Sequence, residues 1–427
     1  MPNAGSKDEP TVTDPRIRGK RGNLLISMPN PREPQPSTLG SALLIYMVVM
    51  VLLMTLSPFR FRVPHRFLIY LNGSWKDMAA NVLLFIPLGF LYRLSRRKSG
   101  GTLCLREFAF GLLLSATIEA AQLFLPKRYT QVTDVVTNGL GAWAGAKCFD
   151  VLRAMTGKNP IKEIFSLELP LINLVYLLVP LLWLNGLAAG PDPNRLWLHA
   201  LLGLMGMGVL TTIYRHRFAP RGAPSENQLT VFALAWFLVS AFPALMAYPG
   251  RMTAIALALG IVARILVIFP GEREDENRRF ESATLKKLLP LYVLYLLLLP
   301  LWPSAMSLRD FQLYLDCEYF TSDERLVGVF RFVELIAALT LLGYLVAELR
   351  GRKKETLERT LGWIFGISLP CLFLIHFVRD YQAPGYSDIY EFLPLIAASI
   401  YGGLIYRLQL DAIRRSSAPG KDTTGLL

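Results

Sequence analysis

The chain has 427 residues, of which 53% are hydrophobic and only 18% are charged. Soluble domains carry about 25% charged residues, so this composition argues against a nuclease, a kinase or another soluble enzyme. The formal net charge of +13 would suit a nucleic-acid-binding protein. However, the basic residues lie between long apolar segments rather than on one compact polar domain, which excludes that class.

The N-terminal segment, residues 1–38, is polar and rich in proline and arginine. It has too few apolar side chains to form a core, so we predict a disordered cytoplasmic tail. The first apolar run begins at residue 41 and no small-residue cleavage site follows it. It therefore predicts an uncleaved helix rather than a secretory signal. Residues 416–427 are predicted to form a second disordered tail.

Twelve apolar runs of 17 or more residues follow, each long enough to cross a hydrocarbon core of about 30 Å as a helix. They are residues 41–57, 78–94, 107–125, 133–152, 167–187, 196–214, 229–248, 252–270, 285–302, 326–348, 360–378 and 389–408. The sequence therefore predicts an all-α fold, a polytopic transmembrane bundle of about twelve helices.

Basic residues cluster at seven places, and these alternate with the apolar runs. The clusters are residues 16–21, 93–106, 147–162, 215–221, 286–287, 350–354 and 407–415. With twelve spanning helices, all seven fall on the same side of the membrane. The positive-inside rule then puts both termini in the cytoplasm and the bundle in the inner membrane. The excess charge reflects topology and contact with anionic membrane lipids.

The cysteine and histidine residues do not indicate a metal site. Cys104, Cys148, Cys317 and Cys371 show no CxxC spacing, and the four histidines are scattered along the chain. We therefore predict no disulfide framework, no bound metal and no cofactor.

The second predicted helix carries Asn81, followed by Pro87 and Gly89. The proline removes a backbone hydrogen bond, and the glycine lets a neighbouring helix come close. A structural interpretation, in which the helix is kinked and Asn81 bonds a neighbour, accounts for this motif. A binding role for Asn81 is the alternative.

The third predicted helix ends with Glu119 and Gln122, which are three residues apart and share one face. Arg128 follows in the next loop. A carboxylate inside a membrane is costly, so Glu119 is expected to be protonated or paired with Arg128 or another cation. Either a structural ion pair or a functional site would explain these residues.

The fourth predicted helix begins near Thr133 and Asp134, where Thr133 would cap the helix and Asp134 would favour its positive end. Asn138, Gly141 and Gly145 continue the same face. The glycines indicate close helix packing. The stripe is expected to face Glu119.

In order, Asn81, Glu119, Gln122, Arg128, Asp134, Asn138 and Gly141 resemble the pattern of the VanZ-like family of membrane proteins. The resemblance covers roughly residues 41–152. It implies a cell-envelope setting, because the first member of that family is linked to low-level resistance to the glycopeptide teicoplanin. Residues 160–427 lie outside the usual short domain, so a resistance role does not transfer directly.

We divide the chain into a VanZ-like four-helix domain at residues 39–156 and an eight-helix region at residues 157–415. The last four helices resemble a degenerate copy of the first four. A shift of 254 positions places Pro87–Leu91 on Leu341–Leu345, Gln122 on His376 and Asp134 on Asp388. Such a duplication would be a parallel repeat.

Three functions remain open at the level of sequence. The first is binding of a lipid-linked glycan precursor or polyprenyl phosphate by Asn81, Gln122, Arg128 and Asn138, with an enzymatic version in which Glu119 and Asp134 act as acid and base. The second is a transporter or flippase, with Arg264 and Glu334 as candidates for ion coupling. The third is a non-catalytic scaffold for other envelope-biosynthesis proteins.

Overall fold

The computed structural model describes residues 38–57, 59, 61–63, 69–70, 74–96, 104–125, 130–155, 160–190, 192–217, 226–268, 280–301, 323–351, 356–382 and 391–417. In these ranges the chain forms thirteen α-helices and one pair of two-residue strands. The helices are α1 (Thr38–Thr55), α2 (Trp75–Arg96), α3 (Leu105–Gln122), α4 (Val132–Met155), α5 (Pro160–Ala189), α6 (Trp197–Arg217), α7 (Glu226–Ser240), α8 (Phe242–Ala247), α9 (Pro249–Ile268), α10 (Phe280–Leu298), α11 (Asp323–Gly351), α12 (Leu357–Gln382) and α13 (Phe392–Ser417). The strands are β1 (Ile69–Tyr70) and β2 (Thr130–Gln131).

The all-α prediction is confirmed, and each of the twelve apolar runs overlaps a helix. The seventh run forms two helices, because the helix ends at Ser240 and a new one begins with Pro243 near its start. Six helical segments among the described residues are long and apolar enough to span a membrane. They are Thr38–Thr55, Trp75–Arg96, Thr284–Leu301, Leu326–Arg350, Leu357–Tyr381 and Phe392–Asp411. Of the predicted tails, 1–38 and 416–427, residues 1–37 and 418–427 lie outside the described residues. The described remainder is helical, because α1 begins at Thr38 and α13 ends at Ser417.

The most extensive helix interface joins α2 to α4, and glycines make the close approach between them. A Cβ atom added at Gly89 would lie 1.9 Å from the Ala142 carbonyl oxygen. One added at Gly145 would lie 2.0 Å from the Ile86 carbonyl oxygen. The small residues predicted to allow close packing therefore do so, and no other residue type fits at these two positions.

The next most extensive interface joins α11 to α13 and has the same construction. A Cβ atom at Gly343 would lie 1.8 Å from the Ser399 carbonyl oxygen, and one at Gly402 would lie 1.8 Å from that of Thr340. The first four helices contact this second group mainly through α1. There, the Tyr401 hydroxyl donates to the Ala42 carbonyl oxygen at 2.8 Å.

The outward face of the bundle is apolar. On α4 the exposed side chains repeat with helical spacing and include Val132, Val136, Leu140, Trp143 and Val151. A water-exposed helix would carry polar residues at these positions. An apolar outer face together with six span-length helices fits an integral membrane protein.

Candidate functional site

The candidate residues gather where α2 begins, α3 ends and α4 begins. Ser74 caps α2, since its hydroxyl lies 2.8 Å from the Asp77 carboxylate and accepts the Asp77 amide at 3.2 Å. One turn later, the Asn81 side chain lies near the Asp134 carboxylate, in the first turn of α4. The structure thus joins two residues that are 53 positions apart in the sequence.

Asn138 connects α4 to α3. Its amide nitrogen donates to the Ser115 hydroxyl at 2.8 Å, and both side chains are buried. The Ser115 hydroxyl in turn donates to the Asp134 carbonyl oxygen at 3.5 Å. Ser115 lies one turn before Glu119, so the polar stripe of α4 faces the part of α3 that the spacing indicated.

Glu119 is 5% exposed and holds strand β2 against the end of α3. Its carboxylate accepts the backbone N–H of Gln131 at 3.0 Å, and its backbone carbonyl accepts the Thr130 hydroxyl at 3.0 Å. Strand β2 pairs in parallel with β1, with Ile69 opposite Thr130. Arg128, the expected partner of Glu119, lies outside the described residues.

Gln122 makes a contact that the sequence did not indicate. Its side-chain nitrogen donates to the carbonyl oxygen of Thr55 at 3.0 Å, in the last turn of α1. The last four carbonyl groups of a helix lack partners within the helix, so Gln122 satisfies one of them. This bond ties α3 to α1.

Four buried oxygen atoms around the first turns of α4 have no hydrogen-bond partner among the described residues. They are Oε1 of Gln131, Oγ1 of Thr133, Oδ1 of Asp134 and Oδ1 of Asn138. Thr133 was expected to cap α4, but the helix begins one residue earlier, at Val132. The Thr133 hydroxyl accepts no backbone N–H, so Thr133 does not act as the cap. Three of the four atoms can only accept hydrogen bonds, so this cluster would suit hydroxyl or ammonium donors.

The described part of the site is therefore electronegative. Asp77 and Asp134 are close enough for their charges to interact. In the ranges that the structure describes, no group of three or more histidine, cysteine and acidic side chains could hold a metal ion. Acid–base chemistry through Glu119 would compete with the bond from Gln131 to its carboxylate.

Sequence reasoning missed a buried ion-pair cluster at the other end of the same helices. Arg93, which is 7% exposed, donates to Glu107 at 3.1 Å and to both oxygens of Asp150 at 3.3 and 3.2 Å. The Cys104 thiol lies 3.5 Å from Asp150. Burial and this carboxylate raise the pKa of the Cys104 thiol. The sequence signal for this cluster was a charged residue, Arg93, inside the predicted apolar run 78–94.

A second ion-pair cluster surrounds Glu334 on α11. Its carboxylate accepts hydrogen bonds from Arg195, from Asn185 at 2.8 Å and from Tyr295 at 2.8 Å. Glu334 was one of two candidates for ion coupling. The structure shows it bonded to three donors from three other segments, which is an arrangement that stabilises a buried carboxylate.

Comparison with known proteins identifies the first part of the chain. A family model described as VanZ/LLP1 matches residues 26–153. The Protein VanZ of Enterococcus faecium is 32% identical over 108 residues, which are 25% of this chain and 65% of that protein. No solved structure matches the chain. The chain therefore carries a VanZ/LLP1 domain at residues 26–153, the part that contains all six candidate site residues.

Proposed function

We propose that the protein is a multi-pass inner-membrane protein whose VanZ-like domain binds a lipid-linked glycan intermediate at the outer leaflet. The observation that carries this proposal is the group of buried oxygens without donors on Gln131, Thr133, Asp134 and Asn138. Buried polar atoms in folded proteins are nearly always hydrogen-bonded, so these atoms call for a ligand that supplies donors.

Sugar hydroxyl groups supply such donors. Asp134, Asn138 and Gln131 offer acceptors at the start of α4, and Asn81 lies near Asp134 from α2. A phosphate group would be repelled by Asp77 and Asp134, because it has the same sign of charge. In this proposal the described cluster binds the glycan, and Arg128, which precedes β2 in the sequence, binds the phosphate of the lipid carrier.

The proposal is for binding rather than catalysis. Glu119 already accepts a backbone N–H, and Gln122 is bonded to Thr55, so both residues contribute to the shape of the site. Asp134 keeps one carboxylate oxygen without a partner in the described part of the protein. It is the residue through which an acid–base version of the function would act.

A flippase is the second candidate, and one specific observation favours it. The interfaces α2–α4 and α11–α13 share the same glycine contacts, as expected for a parallel repeat of the kind found in carriers. Transport would predict that a lipid-linked substrate crosses the bilayer of a reconstituted vesicle. The binding proposal requires only that the substrate is retained.

The test compares lipids that co-purify with the wild-type protein and with an Asp134→Ala/Asn138→Ala variant. We expect native mass spectrometry to detect a lipid-linked glycan on the wild type and at least about tenfold less on the variant, since each lost bond contributes about 1 kcal/mol. Thr137→Val is the matched control, because the Thr137 hydroxyl bonds only carbonyl groups of its own helix.

Both variants must elute as monodisperse particles and unfold within a few degrees of the wild type for the comparison to count. Equal glycan-lipid occupancy in the double variant and the wild type would contradict the proposal. So would an equal loss in the double variant and in Thr137→Val, because the polar cluster would then serve packing alone. That outcome would favour the scaffold function.

A further inference from the structure

The polar cluster at the start of α4 has open hydrogen-bond acceptors. They are Oε1 of Gln131, Oδ1 of Asp134 and Oδ1 of Asn138, which are buried atoms without a partner among the described residues. The fourth open atom, Oγ1 of Thr133, belongs to a hydroxyl group, which can donate as well as accept. The site therefore requires mainly donors from its ligand, and this restricts the chemistry of that ligand.

Several donors of the same region are already bonded within the protein. The Asn138 amide nitrogen donates to Ser115 at 2.8 Å, and the Gln131 backbone N–H donates to the Glu119 carboxylate at 3.0 Å. The Thr137 hydroxyl donates to carbonyl groups of its own helix. The bond to Ser115 also fixes the Asn138 amide, because its nitrogen faces Ser115 and its oxygen remains an acceptor.

The charges at this site have the same sign. Asp77, at the start of α2, acts on the Asp134 carboxylate, and within the described ranges no cation is paired with Asp134. Two neighbouring carboxylates repel each other, so a bound cation would stabilise both.

The acidic residues of the site are accessible, and the buried acceptor lies one helical turn further along α4. Asp77 is exposed, Asp134 is partly exposed and Asn138 is 5% exposed. Asp134 and Asn138 are four residues apart on one helix face, so one small group can contact both side chains. A ligand group therefore has both an accessible carboxylate and a buried amide oxygen to bind.

An ammonium group matches this site better than a hydroxyl group does. An ammonium has three N–H donors, no acceptor and a positive charge. A hydroxyl donates one hydrogen bond but brings two lone pairs, and the donors on Asn138, Gln131 and Thr137 are already bonded. A hydroxyl also leaves the charges of Asp77 and Asp134 without compensation. Hydrogen bonding and charge thus favour the same ligand group.

We propose that the lipid-linked glycan bound at this site carries a free primary amine, which lies as an ammonium between Asp134 and Asn138. This inference rests on the proposed function, because it names the chemical class of the ligand for the same site. Hydroxyl groups of the same glycan donate to Gln131 and Thr133. An aminated phospholipid headgroup shares the ammonium chemistry, so the experiment separates the two sources.

The experiment compares three octyl glycosides that differ only at carbon 2 of the sugar: octyl glucosaminide, octyl N-acetylglucosaminide and octyl glucoside. Each is titrated into the full-length protein in a polyoxyethylene detergent, which contains no sugar, and native mass spectrometry measures the bound glycoside. The pH is slightly acidic, so that the amine is charged. We expect the wild type to bind the free amine at least about tenfold more tightly than the other two, the effect of one charge-assisted hydrogen bond.

Asp134→Asn removes the charge and keeps the size of the side chain. It should abolish the preference for the amine and leave the affinity for octyl glucoside unchanged. Glu358→Gln is the matched control, because it makes the same acid-to-amide change at an exposed residue in the first turn of α12. Asp77→Asn, at an exposed position, is the second variant if Asp134→Asn does not fold, and it should reduce the preference.

The outcomes separate this inference from the proposed function. Equal affinity for the three glycosides would overturn the amine inference and leave glycan binding intact. A preference that persists in both Asp134→Asn and Asp77→Asn would also overturn it, because the amine would then bind elsewhere. Failure of all three glycosides to bind, together with no glycan lipid on the purified wild type, would contradict both.

Dioleoylphosphatidylethanolamine identifies the source of the amine, with dioleoylphosphatidylcholine as the reference lipid that has no N–H donor. If the site binds an amino sugar, phosphatidylethanolamine should displace octyl glucosaminide no better than phosphatidylcholine does. Displacement by phosphatidylethanolamine alone at equal concentration would overturn the inference in favour of a phospholipid headgroup.

Discussion

At the scale of single residues, Arg93 shows how a buried charge determines local structure. It lies near the end of α2 and binds one carboxylate from α3 and one from α4. Each of these three helices contributes one charged side chain to the cluster. Burying such groups is costly unless each has a partner, so removal of the shared cation should be far more harmful than removal of a surface arginine.

We predict that Arg93→Met destabilises the protein by about 3–5 kcal/mol, because Glu107 would remain buried without its cation. Thermal unfolding of the purified protein, followed by intrinsic fluorescence, measures the effect. Arg96→Met is the control from the same turn, since Arg96 is exposed and stacks on Tyr92. Equal melting temperatures for the two variants would contradict the structural role given to Arg93.

Four of the six candidate residues of the VanZ-like domain divide into two groups at this scale. Glu119 and Gln122 bond backbone groups, and their contacts explain their presence without a ligand. Asp134 and Asn138 keep acceptor oxygens without a partner in the described part of the site. The sequence could list all of these residues but could not separate the groups, because hydrogen-bond partners such as Thr55 are distant in the chain.

At the scale of elements, glycine contacts decide how closely the helices pack. Gly145 allows α4 to approach the backbone of α2, whereas Gly366 on α12 has no atom within 4 Å of an added Cβ. Both positions are helical glycines, but Gly145 is closely packed against another helix and Gly366 has open space around its Cα. The first should not tolerate a methyl group, and the second should gain from one through higher helix propensity.

We predict that Gly145→Ala destabilises the protein by about 1–3 kcal/mol or more and reduces its yield from membranes. Gly366→Ala should be neutral or stabilising by less than about 1 kcal/mol. Melting temperature and the monodisperse fraction on gel filtration measure both effects. If Gly145→Ala behaved like Gly366→Ala, the close approach of Gly145 to Ile86 would be contradicted.

The alignment of α11–α13 on α2–α4 shows what the sequence alone cannot determine about a repeat. A single shift of 254 positions aligned Gly89 with Gly343 but placed Gln122 on His376. The glycine and serine contacts require 257 positions for the third and fourth helices, so Gln122 corresponds to Arg379. Three additional residues between α11 and α12 account for the difference. Apolar helices match one another at many offsets, so only packing contacts fix the register.

At the scale of the whole molecule, the distribution of basic residues predicts the topology. The twelve predicted spans, with all seven basic clusters on one side, predict cytoplasmic termini. Six of the described helical segments have the length and the hydropathy expected of a membrane span. Others, such as α3 and α4, carry the polar site residues, which lower their hydropathy.

We predict that green fluorescent protein fused after residue 427 is fluorescent and that alkaline phosphatase fused there is inactive. The same pattern is expected after residue 157. A fusion after residue 126 should show the reverse pattern, because the loop between α3 and α4 is predicted to face outward. Active phosphatase after residue 427 would contradict the predicted cytoplasmic C-terminus.

The sequence by itself determined the helical class, the approximate helix positions and the VanZ-like domain, because hydrophobic periodicity and small-residue spacing are local properties. It could not determine which polar groups are bonded, since Asn81 meets Asp134 and Arg195 meets Glu334 only after folding. Contacts between distant residues depend on helix packing, and only the tertiary structure decided them.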